Sequence, residues 1–174
     1  MVHIKNFNLL ISTSRYNETN ASTELWFALL ICGDTYPIIS SLTFPGLITA
    51  LTEIDAKTFI RKIRKIMKDD PHFFQYILKI IPIDFVCETN TKILANLIQN
   101  HYKTYIKEQE SFKIYLKRRK NEKIERNTLI ERIAVGIHNN VDLENPDKVI
   151  RIEILGNSSG VSFLQKKDIV NKID

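Results

Sequence analysis

Very little in this 174-residue chain belongs to flexible, cross-linked or membrane-embedded polypeptides. Glycine and proline number five each, and 44% of residues are hydrophobic against 26% charged, a balance that excludes fibrous and disordered classes. The two cysteines, Cys32 and Cys87, stand far apart with no Cys-x-x-Cys pair. They read as reduced, buried thiols rather than as a disulfide. No apolar run reaches the roughly 18 residues that a membrane helix requires, and the longest, around "LWFALLIC", has about half that. The opening "MVHIKNFN" lacks the apolar region of a secretory signal, so a cytoplasmic location is expected. Length allows one domain or two small ones.

Reaction centres are equally scarce. Gly33, Gly46, Gly136, Gly156 and Gly160 form neither a Gly-x-Gly-x-x-Gly turn nor a Walker loop, which argues against a nucleotide cradle. No acetyl-coenzyme A loop or methyltransferase fingerprint is visible. "GNSSG" offers backbone amides, yet a hairpin turn is the simpler reading. His3, His72, His101 and His138 are scattered, with no partner at metal-ligand spacing. Ser12, Ser14, Ser158 and Ser159 have no base nearby in sequence. Asp84 and Glu88, four apart, look like helix-start carboxylates rather than a catalytic pair. The expectation is a chain with no catalytic residue, no metal site and no cofactor. A small enzyme whose site is assembled from distant residues is the rival.

What the chain has is clustered positive charge. The net charge is +5, part of which reflects a composition rich in isoleucine (27), lysine (17) and asparagine (14). Position says more than the total. Residues 57–68 carry six basic side chains and no acidic one, and residues 103–126 carry nine basic against four acidic. Lysines and arginines grouped this way suit a phosphate backbone.

The apolar pattern sorts the chain into alternating elements. "FNLLISTS" reads as a strand, "RYNETNASTELWFALLICGD" as a helix with Leu25, Trp26, Leu29 and Leu30 inward, and "YPIISSL" and "LITALTE" as strands joined by "TFPG". Asp55 caps a second helix whose apolar face holds Phe59, Ile63, Ile66 and Met67 and whose other face holds Arg61, Lys62, Arg64, Lys65 and Lys68. "HFFQYILKII" then reads as a long strand. This order is a ferredoxin-like βαββαβ unit covering residues 1–83.

"IPIDFVCETN" reads as a hinge into a second unit, residues 84–174. There a helix over 91–108 carries Ile93, Leu97, Ile98, Tyr102 and Tyr105. "SFKIYLKRR" sets Phe112, Ile114 and Leu116 against Lys113, Tyr115 and Lys117, the period of a half-buried strand. A helix over "NTLIERIAVGIHN" and a strand pair, "KVIRIEIL" and "VSFLQ", complete it. Lys113, Tyr115 and Lys117 lead into Arg118, Arg119 and Lys120, a face suited to RNA backbone with Tyr115 under a base or sugar. An exposed strand edge kept soluble by lysine fits the same pattern.

"SFKIYLKRRKNEKIERNTLIERIA", followed by "VDLENPDKVIRIEILGNSSGVSFL", resembles the THUMP domain, an RNA-binding module of tRNA-modifying enzymes. "FNLLISTSR" and "FFQYILKIIPID" look like the ferredoxin-like domain that precedes THUMP in those proteins. The nearest form is the stand-alone subgroup that serves as adaptor to the tRNA cytidine acetyltransferase, which makes N4-acetylcytidine. The resemblance implies an α+β protein with a ferredoxin-like domain followed by THUMP. It also implies a grip on the tRNA acceptor stem through Lys117, Arg118, Arg119 and Arg126, and catalysis by a separate enzyme, the acetyltransferase. Thiolation and methylation systems are the alternatives. Where the family places a small polar cap and acidic residues around that arginine, this chain has Glu125 before Arg126 and Asn127–Thr128 after it.

Overall fold

The computed structural model describes residues 6–172, and His3 lies outside them. The chain forms two compact units. Among the described residues, one comprises 6–83 together with 167–172, and the other is Asp84–Lys166.

In the first unit, β1 (Leu9–Thr13), α1 (Glu18–Ile31), β2 (Ile38–Ser41), β3 (Leu47–Leu51), α2 (Ala56–Asp69) and β4 (Ile77–Pro82) follow the ferredoxin-like order. The sheet runs β2-β3-β1-β4-β9, with β9 (Val170–Asn171) on the far edge and every neighbouring pair antiparallel. Alternation along the strands puts Leu9, Ile11, Ile48, Ala50 and Ile80 on one face, packed with Leu25 and Leu29 of α1 and Phe59, Ile60 and Ile63 of α2. Full burial of each such side chain contributes about 1.5–3 kcal/mol. Helix α2 starts where Asp55 accepts from the Thr58 amide at 2.8 Å. The reversal into β3 needs glycine at residue 46, where φ is +78° and an added Cβ would lie 2.7 Å from the Thr13 carbonyl oxygen.

The second unit contains β5 (Phe85–Glu88), α3 (Thr91–Tyr105), β6 (Phe112–Arg119), α4 (Arg126–Ala134), β7 (Lys148–Leu155) and β8 (Ser158–Leu164). Its sheet runs β5-β8-β7-β6; β6 lies parallel to β7 and the other pairs are antiparallel. Leu94, Ile98 and Tyr102 of α3 and Leu129 and Ile133 of α4 pack with Phe112, Leu116, Ile150, Ile152, Val161 and Phe163 of the sheet.

Several expectations change. Trp26 is not a core residue: it is 51% exposed, and the inward face of α1 is made by Ala21, Leu25, Ala28 and Leu29. Residues 72–76 are not strand, because the Glu24 carboxylate takes the amides of Gln75 (2.6 Å), Tyr76 (2.9 Å) and Ile77 (3.0 Å) just as β4 begins. The stretch read as a hinge itself forms β5, so the second sheet has four strands, not three. Asp84 accepts from the Phe163 amide (2.8 Å), and the cap of α3 is Asn90 rather than a carboxylate. Helix α3 stops at Tyr105 and α4 at Ala134, short of residues 108 and 139. Only Gly156 and Asn157 of "GNSSG" form the hairpin turn; Ser158, Ser159 and Gly160 belong to β8. The last residues do not end the second unit, since β9 pairs with β4 through Lys79↔Asn171 and Ile80↔Val170.

Candidate nucleic-acid interface

Strand β6 delivers Lys113, Tyr115 and Lys117 by alternation, whereas Arg118 falls on the same side as Phe112 and Leu116 and is exposed near the strand's end. Phe112 and Leu116 are buried, Lys113 and Ile114 are half-buried, and Tyr115, Lys117 and Arg118 are exposed. Beyond Arg119 the chain turns through Lys120, which has a positive φ of 49°. Asn121 then organises the loop: its Oδ1 accepts from the Lys123 (3.0 Å) and Ile124 (3.1 Å) amides, and its Nδ2 donates to the Gly156 carbonyl at 2.8 Å. Ile124 is buried in the core and anchors the far end. The basic loop is thereby held at both sides.

Two arginines are aimed by backbone carbonyls. Arg118 Nη1 donates to the Ile124 carbonyl, and Arg126 Nη1 donates to the Leu116 carbonyl at 2.9 Å. Both remain exposed. A carbonyl orients a guanidinium without cancelling its charge, and each group keeps most of its five N–H donors. The substituted cap before Arg126 also finds its role. Glu125 accepts from the Asn127 (3.0 Å) and Thr128 (2.6 Å) amides and from the Thr128 hydroxyl (2.6 Å), so it starts α4 itself. The Thr128 hydroxyl and amide, followed by the Asn127 amide, hold its carboxyl below the usual range.

Arg119 and Tyr115 are engaged differently. Arg119 pairs at 2.7 Å with Glu153, which is wholly buried and whose other oxygen binds Arg151 Nε at 2.7 Å. The Arg151 guanidinium in turn lies 4.3 Å from the Tyr115 ring centroid, covering one face of the ring. Lys113 makes a long 3.5 Å contact with the Leu143 carbonyl. Lys123, exposed on the loop, is a cation that the strand pattern does not single out; the Asn121 turn next to it is the signal that places it.

The second basic face belongs to the other unit. On α2, Arg61 donates to the Thr58 hydroxyl (2.6 Å), Lys62 to the Cys32 carbonyl (2.7 Å) and Arg64 to the Ile169 carbonyl (3.0 Å). Lys65 and Lys68 are exposed.

Among the described residues, no group of three His, Cys, Asp or Glu is placed to hold a metal. His101 Nδ1 lies 2.8 Å from the Leu97 carbonyl and its ring 4.5 Å from that of Phe85, while His72 and His138 are exposed. Burial, then Glu88, pushes the Cys87 thiol up to about 11, and burial likewise raises Cys32. Among the described residues no helix is long and apolar enough to cross a membrane.

Residues 88–164 match the family described as THUMP domain. The chain contains a THUMP domain. It comprises most of the second unit, including the β6 cations and the Asn121 loop. No curated protein matches the chain in sequence.

Solved structures share the architecture. PH1313 from Pyrococcus horikoshii superposes with a TM-score of 0.70 at 16% identity over 95% of this chain. TrmN from Thermus thermophilus gives 0.58 at 10% over 91%. A 4-thiouridine synthetase, solved as an RNA complex with bound ATP, gives 0.59 at 13% over 95%. Identities this low speak for the fold alone, the THUMP domain and its ferredoxin-like neighbour together. The chain spans 55%, 46% and 42% of those three proteins.

Proposed function

We propose that the protein is a non-catalytic adaptor that binds the acceptor-stem region of tRNA and presents it to a separate modification enzyme. The single observation that carries this reading is the loop of the THUMP domain. At its edges and within it Lys117, Arg118, Lys123 and Arg126 are exposed, and both arginines are oriented by neutral carbonyls, with Glu125 the one carboxylate whose charge Arg118 also feels. Such cations release counterions when they meet phosphates, which makes affinity high at low salt and sequence-independent.

The shared fold of the 4-thiouridine synthetase solved with RNA supports RNA as the ligand. The raised thiols support binding over nucleophilic chemistry, since only a thiolate attacks. The resemblance to the stand-alone adaptor subgroup makes cytidine N4-acetylation the modification proposed.

Fluorescence anisotropy with labelled tRNA tests the binding. Lys117→Glu combined with Arg118→Glu should weaken affinity at least tenfold at low salt and flatten the salt slope. Wild-type affinity in that variant, at two salt concentrations, would remove this surface from the interface. Incubating the pure protein with tRNA and acetyl-coenzyme A tests the adaptor role. Modified nucleosides should appear only when the acetyltransferase is added, and turnover by the protein alone would make it an enzyme.

A further inference from the structure

The fold divides the cations of α2 in a way their spacing does not reveal. Arg64 and Lys68, on successive turns, stand beside the final strand. With Lys172 just past that strand, they line one depression of about 270 Å³. Met67, Pro71 and Val170 supply apolar wall. Sequence-distant ends of the first unit thus bring three positive charges to one hollow.

Each of the two outer cations is oriented without being neutralised. Arg64 Nη1 donates to the Ile169 carbonyl at 3.0 Å, and Lys172 Nζ donates to the Gln75 carbonyl at 2.9 Å. Most of their donors are left for a ligand. Arg119 is the contrast, with its guanidinium paired to the Glu153 carboxylate. No carboxylate lines the hollow among the described residues. Asp70 lies close in sequence, but its Oδ1 accepts from the His72 amide at 3.1 Å. Lys68 in the last turn of α2 also offsets the helix dipole, a role that requires neither Arg64 nor Lys172.

Size narrows the ligand. Small-molecule sites span roughly 300–1,000 Å³, and this hollow falls under that range. Three cationic residues around one shallow seat suit one phosphate group. We propose that this depression seats a backbone phosphate of the bound tRNA, giving the first unit its own contact with the nucleic acid. The inference rests on the tRNA-binding reading and adds Lys172, which lies outside both basic clusters of the sequence.

Amine footprinting of the full chain with an acetylating reagent, with and without tRNA, reads both surfaces together. Lys68 and Lys172 should be protected several-fold, alongside Lys117 and Lys123. Protection of Lys117 and Lys123 alone would overturn the phosphate seat and leave the THUMP surface standing. Protection of Lys68 and Lys172 alone would keep the seat and overturn the THUMP surface. No protected lysine would sink both. A K68Q/K172Q variant should lower the slope of log K against log salt by about 1, the loss expected for one phosphate contact. An unchanged slope with a lowered Tm would mean that the cations only staple the strand, and would overturn the seat.

Discussion

Arg119 and Glu153 form an ion pair with one partner entirely out of solvent: Nη1 lies 2.7 Å from Oε2, and the Glu153 side chain has no exposed surface. Arg151 completes the pairing at the other oxygen. Removing one member of a buried pair strands the remaining charge, at a cost of roughly 3–5 kcal/mol. Glu153→Ala should therefore lower stability by an amount of that order, read as a shifted midpoint in urea denaturation. A loss under about 1 kcal/mol would mean that the two arginines find water once the acid is gone.

Acid should unfold the protein through its capping and turn carboxylates. Glu18 is held below its ordinary value chiefly by the Gly46 amide, and Asp55 by the Thr58 hydroxyl. The Thr128 hydroxyl does the same for Glu125, and the Ser111 amide for Asp147. A folded pKa below the unfolded one adds stability at every pH above the unfolded value, here 3.8 for Asp and 4.5 for Glu. That increment vanishes as pH falls through the lower folded values. Tm should fall below about pH 4.5, and Asp55→Asn combined with Glu125→Gln should reduce the drop.

The cysteines should be poor nucleophiles. With the Cys87 thiol raised to about 11, alkylation by iodoacetamide at pH 8 should run well behind that of a free cysteine and accelerate only in strongly alkaline buffer. Mass spectrometry of the timed reaction settles it, and rapid labelling at pH 8 would contradict the burial.

Two glycines in turns should respond unequally to alanine. Both have positive φ, but a Cβ at residue 46 meets the Thr13 carbonyl oxygen at 2.7 Å, whereas one at residue 33 meets nothing within 4 Å. Gly46→Ala should cost more than the roughly 1–2 kcal/mol of the left-handed conformation alone. Gly33→Ala should cost less than Gly46→Ala, measured as the difference in urea midpoints.

The parts of this architecture legible in sequence are those with a strong local period or cap. Helix α2 separates Phe59 and Ile63 from its basic face, and Asp55 marks its start. The second half of α1, Leu25–Ile31, is apolar on all sides, so spacing there cannot say which residues turn inward, and the structure turns Trp26 outward. Strand β5 has only four residues and takes its partner, β8, from far along the chain. The Glu24 contacts that delay β4 are equally non-local.

The candidate interface shows the same division. Lys117 and Arg119 sit on the same side of β6 by alternation, and only Glu153 on the neighbouring strand makes their electrostatics differ. Lys172 joins Arg64 only through the pairing of β9 with β4. Composition finds the charge, while tertiary pairing decides which of it stays available.

Because β9 returns to the sheet that β1 opens, the THUMP domain is an insertion within the first unit rather than a successor to it. A ribosome releases the chain from the N-terminus, so the outer edge of β4 must wait unpaired while the whole inserted domain is synthesised. Strand edges left open in nascent chains invite wrong partners. Here the closing piece emerges only after the inserted domain, and it carries Lys172 with it.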